Sequence, residues 1–346
     1  MKFIRRTAFK VLGSVVLLGW TTATVFAQDF TFTIHHFLSP KAPAQKLLIE
    51  PWVKKIEAES GGRITFEIFP SMSMGGKPPD LYKQVRDGVA DIVWTVPGYT
   101  PGVFPRVEVF ELPGVHNGDA KATNLAIQDM MDEMGEDLKN IKPLLIHVHA
   151  GNALHTVSKE VKSFEDLKGL KLRSPSRTGA WMVESWGAEP VGMPVPSLPQ
   201  ALSKKAIDGA LIPFEVAIPL KIAELTDFSL EMDGGERFGT ATFMFAMNRK
   251  TFNSLPDDLK KIINDNSGAA ISSAIGDAWN NIEPIGQKIA IDKGNGVSQL
   301  SAAESIKFSA ASASVIDRWV REVTGKGIDG EGLVFRAQEA IAKHSK

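Results

Sequence analysis

The sequence predicts an α/β protein built as two doubly wound units with a cleft between them. Three observations carry that expectation. Short apolar runs alternate with amphipathic helical stretches at βαβ spacing, first over 30–150 and again over 155–237. Gly151-Asn152 punctuates a buried run where the chain crosses from one unit to the next. Residues 240–247 then read as a long strand returning to the first unit, after which helices dominate.

Taken in order, residues 30–34 alternate into a strand that ends at His35-His36-Phe37. Pro40 and Pro43 lead into an amphipathic helix over 45–60, broken by Gly61-Gly62. A second strand, 63–69, places Ile64, Phe66 and Ile68 on one face and closes at Pro70. The loop through Met74-Gly75-Gly76-Lys77 precedes a helix over 80–87, and 90–96 is a buried strand ended by Pro97-Gly98. A helix near 124–134 and a strand over 144–150 complete the unit. Ligands of such sheets gather beyond the carboxyl ends of the strands. The strand-end clusters at 35–37, 74–77 and 94–99 are therefore expected to face one cleft.

The second unit is organised around residues 167–176. Leu170 and Leu172 alternate with Lys171 and Arg173, a short strand with one buried and one polar face. Gly169 turns the chain in and Pro175 ends the ladder. Ser176 opens a helical run over 178–186, so Arg173 sits at a strand-to-helix junction. Its planar fork of donors fits a carboxylate bidentately, which makes Arg173 the candidate anion receptor and Arg177, one turn on, the runner-up. A turn rich in proline follows (Pro190, Pro194, Pro196, Pro199), then a helix over 199–205 and a buried strand over 207–214 on which Ile212 and Phe214 share a face. The remaining helices are expected over 257–265, 269–293 and 302–323.

Composition narrows the possibilities. The 346-residue chain has a formal net charge of −1 with both signs mixed throughout, which argues against nucleic acid as a partner. There is no cysteine, which removes disulfides, thiol nucleophiles, cysteine metal sites and a lipoprotein anchor. Lys2, Arg5, Arg6 and Lys10 precede an apolar stretch over 11–20 and small residues up to Ala27. This is the pattern of a secretory signal peptide over 1–27, cut between Ala27 and Gln28. Arg5-Arg6 also loosely resembles a twin-arginine signal. The expected location is the bacterial periplasm, with no segment that spans a membrane.

Several stretches together resemble the solute-binding subunits of TRAP transporters, the DctP-like family. They are Glu59 to Ile64 with Phe69-Pro70, Met74-Gly75-Gly76, Asp87 to Ile92, Phe110-Glu111-Leu112-Pro113, Asp166 to Pro175, Ala206-Ile207-Asp208-Gly209 and Asn248 to Pro256. The resemblance implies a two-lobed periplasmic binding protein fold with a hinge and one long helix spanning both lobes. It divides the mature chain into lobe I, 28–150 plus 238–285, and lobe II, 151–237 plus 286–346. It further implies closure over an organic anion, handover to small and large permease subunits, and Arg173 as the residue that clamps the ligand carboxylate.

Around that clamp the same resemblance brings Tyr99, Ser176 and Ile212, and Asn152 at the crossing would share the grip on the carboxylate. Trp94 and Phe214, placed by alternation, and Phe243 on the returning strand add aromatic surface, while His36 is expected to donate to the ligand and Lys77 to add positive potential. One fixed cation among apolar and aromatic walls predicts a monocarboxylate with an apolar or aromatic body. The alternative ligands are a C4-dicarboxylate or a 2-oxo acid. His147-Val148-His149 with nearby His155 has a spacing that suits zinc, yet no acidic residue lies in that strand, and neither metal nor cofactor is expected. Glu215 follows Phe214 and is expected to point away from the cleft. An exported hydrolase or lyase is the alternative of a different class, but no nucleophile–base arrangement accompanies the histidines. A ligand-sensing protein for a membrane receptor is the third reading.

Overall fold

The structure, a computed structural model, describes residues 30–345; the leader read at 1–27 lies outside them. In chain order the strands are β1 (Phe30–His36), β2 (Ile64–Phe69), β3 (Ile92–Thr95), β4 (Ile141–Val148), β5 (Ala153–Thr156), β6 (Lys171–Ser174), β7 (Glu189–Gly192), β8 (Gly209–Ile212), β9 (Phe228–Glu231), β10 (Thr242–Asn248) and β11 (Gly296–Gln299). They form two sheets, β2-β1-β3-β10-β4 in lobe I and β11-β9-β5-β8-β6-β7 in lobe II. β1 is parallel to β2 and β3, whereas β10 runs antiparallel between β3 and β4. In lobe II, β6 is parallel to β7 and β8, and β5 runs antiparallel to β8 and β9. The carboxyl ends of β3, β6 and β8 therefore meet the amino ends of β5 and β10, which is where both crossings between the lobes occur.

The crossings lie side by side. Asn152 donates its N–H to the Gly239 carbonyl at 2.8 Å, and Phe238 donates to the Asn152 carbonyl at 2.9 Å. A third connection is the helix Ala269–Asp292, 24 residues long with Pro284 inside it. This helix touches each lobe at a glycine. A Cβ on Gly276 would lie 2.3 Å from the Lys121 Cα in lobe I, and one on Gly286 would lie 2.4 Å from the Phe214 carbonyl oxygen in lobe II. Pro284, between the two contacts, lacks the N–H that would close a helical turn there.

Several elements differ from the sequence reading. The helix expected over 45–60 is a π-helical turn, Ala44–Ile49, running into the α-helix Glu50–Glu59. Pro51 sits at the junction and removes the N–H that α-geometry would use. The strand expected to reach Phe214 stops at Ile212, because Pro213 cannot donate to the ladder and instead starts the helix Phe214–Leu220. β5, β7, β9 and β11 escaped notice; each is four residues long, β7 and β11 lie at the sheet edges, and β7 carries Pro190. The last helix, Gly330–His344, packs on the lobe I helix Ala120–Asp129 rather than staying with lobe II. Lys343 and His344 bind Asp129 there.

The glycine contacts give a direct test. Gly286→Ala should push apart the long helix and the helix Phe214–Leu220 and lower stability by about 1–3 kcal/mol. Gly135→Ala, in a helix where an added Cβ meets nothing within 4 Å, should be neutral or slightly stabilising. Urea unfolding of both variants checks the contrast.

Candidate functional site

A cavity of about 390 Å³, its mouth included, lies between the strand ends of the two sheets. Arg173 reaches it from β6. The expected polar face of that strand turns inward: only Lys171 is exposed, and Leu172, Arg173 and Ser174 are buried. Arg173 is 2% exposed. Its Nε donates to the Met193 carbonyl and its Nη1 to the Leu211 carbonyl, both at 3.0 Å. Tyr99 is its side-chain partner, and burial draws the arginine pKa below its ordinary value while Tyr99 opposes the shift. Among the described residues no carboxylate forms an ion pair with Arg173. Even so lowered, an arginine remains a cation near neutral pH, so the cavity edge holds a buried positive charge met only by dipoles.

Rings and aliphatic side chains make the walls. Trp94 and Phe243 stack with centroids 4.8 Å apart and planes 14° from parallel. Phe37 packs on Trp94 at 5.0 Å and on Tyr99 at 5.6 Å. The antiparallel insertion of β10 between β3 and β4 is what brings Phe243 beside Trp94, and the indole Nε1 is fixed by donating to His147 Nε2 at 3.0 Å. Val96, Val195, Ile212 and Ala241 extend the apolar lining. Tyr99 joins the lobes, since its hydroxyl oxygen accepts the Val195 N–H at 2.9 Å. The lobes also touch beside it, where a Cβ on Gly98 would lie 2.7 Å from that of Ser176. The structure is thus a closed form.

Of the residues read from sequence, Arg173, Trp94, Tyr99, Asn152, Ile212 and Phe243 line this cavity together. Four do not. His36 is fully buried and turned to Gln45, its Nε2 3.0 Å from Oε1, and burial lowers its pKa to about 4. Phe214, carried into a helix by Pro213, packs edge-on against His155 behind the sheet. Lys77 is exposed on its loop, where its N–H donates to Asp80. Ser176 caps the helix Arg177–Ser185 and bonds Thr178, lining a separate outer recess. Arg177 is occupied, gripping both oxygens of Glu108 and also Glu322. Glu215, expected to face away, lines the cavity because the helix turn replaces strand alternation. His149 also lines it, with its Nδ1 accepting the Gly151 N–H at 2.9 Å.

The histidines do not gather around a metal. His147 takes the Trp94 indole, and His155 is held between Ser229 and the Ile212 carbonyl. No group of three or more potential ligands for a metal ion occurs among the described residues. No helix among them is long and apolar enough to cross a membrane.

Two hinged α/β lobes closed over one unpaired cation and a set of stacked rings define a solute-binding protein for a small anion. The family comparison agrees: the profile of DctP, bacterial extracellular solute-binding protein family 7, matches residues 34–322. The chain belongs to this family, the solute-binding proteins of TRAP transporters, which are receptors and not enzymes. A TRAP solute-binding protein from a marine metagenome, described as specific for aromatic acid ligands and holding 3-hydroxybenzoate, is 40% identical. The match covers 92% of this chain and 100% of that one, with a TM-score of 0.90. One from Rhodoferax ferrireducens T118, holding copurified benzoate, is 42% identical over 91% of this chain and 98% of that one, with a TM-score of 0.88. A Comamonas testosteroni protein named outer membrane transporter protein TsaT is 23% identical, covering 91% of this chain and 93% of its own length.

Burial of the histidines sets a pH dependence. His155 is pushed down to about 4 by burial, against about 6.5 when unfolded. Unfolding therefore takes up a proton between those values, and the stability present above pH 6.5 is lost as the pH falls toward 4. His155→Gln removes that loss. The difference in unfolding free energy between wild type and variant, from urea titrations, should narrow as pH drops from 7 to 4, by up to about 1.4 kcal/mol per pH unit.

Proposed function

We propose that this chain captures a small aromatic monocarboxylate in the periplasm and hands it to the membrane subunits of a TRAP transporter. One observation carries the ligand class: Arg173 is buried without an acidic partner at the edge of a cavity walled by rings. A buried cation without a counter-charge is costly, and a ligand carboxylate supplies one. A second carboxylate would find no counterpart. Arg237 is already paired with Glu231 and Glu283, and Arg177 with Glu108 and Glu322. Tyr99 meets the guanidinium and Asn152 lines the same cavity, and both would complete the carboxylate's hydrogen bonds. Trp94, Ile212 and Phe243 take the ligand body, where burying a ring contributes about 1.5–3 kcal/mol. The aromatic acids bound to the relatives at 40% and 42% identity support the same reading.

The mechanism is a population shift. Arg173 belongs to lobe II and Tyr99, Trp94 and Phe243 to lobe I, so a ligand touching both favours the closed form. Residues 1–27, read as a secretory leader, and the family's extracellular role support the location. The permease partner follows from the family's role.

Thermal denaturation with benzoate tests the proposal. Benzoate should raise the melting temperature of the wild-type protein saturably, by several degrees at 100 times Kd. Arg173→Ala should abolish the shift while remaining folded, and succinate should give none. Greater stabilisation by a C4-dicarboxylate than by every aromatic acid tested would overturn the ligand class. Arg177→Ala separates structure from binding. It should cost about 3 kcal/mol of stability by leaving Glu108 buried without its cation, held only by the Trp319 indole, yet keep the benzoate-induced rise.

A further inference from the structure

The cavity has a second polar feature that the carboxylate clamp does not use. Glu215, the second residue of the helix Phe214–Leu220, lines the cavity at 4% exposure. Its Oε2 is buried with no hydrogen-bond partner, and no ion pair joins it to Arg173. The Trp279 indole N–H is aimed at the carboxyl and opposes the rise of its pKa, but it falls short of a well-formed hydrogen bond. Only the backbone of Glu215 is anchored: its N–H donates to Glu283 Oε1 at 2.8 Å, while the Phe214 N–H donates to Oε2 at 3.2 Å. Glu283 is paired with Arg237, which also binds Glu231. Arg237 is thus engaged by two other carboxylates and does not neutralise Glu215.

Burial and the Glu283 carboxylate push the Glu215 pKa well above the ordinary range, which favours its neutral form. A neutral carboxylic acid offers one O–H donor and a carbonyl acceptor. An unpaired group of this kind, buried against a ligand cavity, costs stability until something pairs with it. A second ligand carboxylate is disfavoured there by Glu283 and Glu231. A hydroxyl meets the need, because it both donates and accepts and brings no charge.

We propose that the Glu215 carboxyl selects aromatic acids bearing a ring hydroxyl by pairing with that hydroxyl while Arg173 holds the carboxylate. The proposal rests on the monocarboxylate reading and adds the chemistry of the ligand's other side. A site built to bond a hydroxyl rejects the analogue lacking it, because its own buried polar group is then left unpaired. The geometry of a rigid ring further means that one positional isomer should benefit and the others should not.

Titration calorimetry with benzoate and with 2-, 3- and 4-hydroxybenzoate tests this on wild type, Glu215→Gln and Glu215→Leu. The readout is the ratio of benzoate Kd to hydroxybenzoate Kd within each protein, whatever happens to absolute affinity. In wild type one isomer should bind about tenfold tighter than benzoate. Glu215→Gln, which keeps a donor and an acceptor, should retain most of that preference, and Glu215→Leu should reduce the ratio to within twofold of unity. If benzoate binds wild type and no isomer binds more tightly, or if Glu215→Leu keeps the preference, the selection by Glu215 is wrong and the monocarboxylate reading stands. If none of the four acids binds wild type, the monocarboxylate reading itself falls, and this inference with it. Should Glu215→Leu not fold, Glu215→Met and the wild-type isomer series decide the matter.

Discussion

A guanidinium sealed from water without a carboxylate beside it is the constraint around which this molecule is arranged. Arg173 can be kept there only because Met193 and Leu211 turn carbonyls toward it and Tyr99 approaches from the other lobe. Those partners come from three separate segments, so the charge depends on both sheets being in place. Carbonyl dipoles orient the fork but do not neutralise it. Arg177 and Arg237, half-buried, are tied to glutamates: a second free cation at the cavity would blur a site that distinguishes one negative charge from two.

Most of the fold was legible because each lobe repeats a simple alternation of apolar strands and amphipathic helices. The long helix, the crossing at Gly151-Asn152 and the return through β10 all follow from patterns of that kind. Where the reading failed, local covalent chemistry overrode periodicity. Pro213 ends a strand that hydropathy alone extends to Phe214, and the phase change sends Phe214 behind the sheet while turning Glu215 into the cavity. Pro51 converts the start of one helix to a wider turn. Four-residue strands such as β5, β7, β9 and β11 carry too few alternations to register.

The site was legible in part, and the division has a physical cause. Arg173, Trp94, Tyr99, Asn152, Ile212 and Phe243 lie at strand ends or at the crossing, positions that topology brings together. His36 sits at a strand end too, but it faces Gln45 of the following turn, a contact that depends on the π-helical geometry. Lys77 belongs to an exposed loop, and Ser176 is occupied in capping a helix. Glu215 escaped because an acidic residue one step past an apolar run looks like a solvent-facing position until the proline before it is taken into account. A glutamate directly following Pro-Phe at the start of a helix was the signal available.

Tyr99 carries a consequence for how the two lobes meet. Its oxygen accepts the Val195 N–H and meets Arg173 from across the gap, so the shut shape has a fastening made by the protein's own residues. Phe in place of Tyr99 would remove that lobe-to-lobe bond together with a donor to the ligand carboxylate. One hydroxyl group therefore serves both the joining of the halves and the grip on what they enclose.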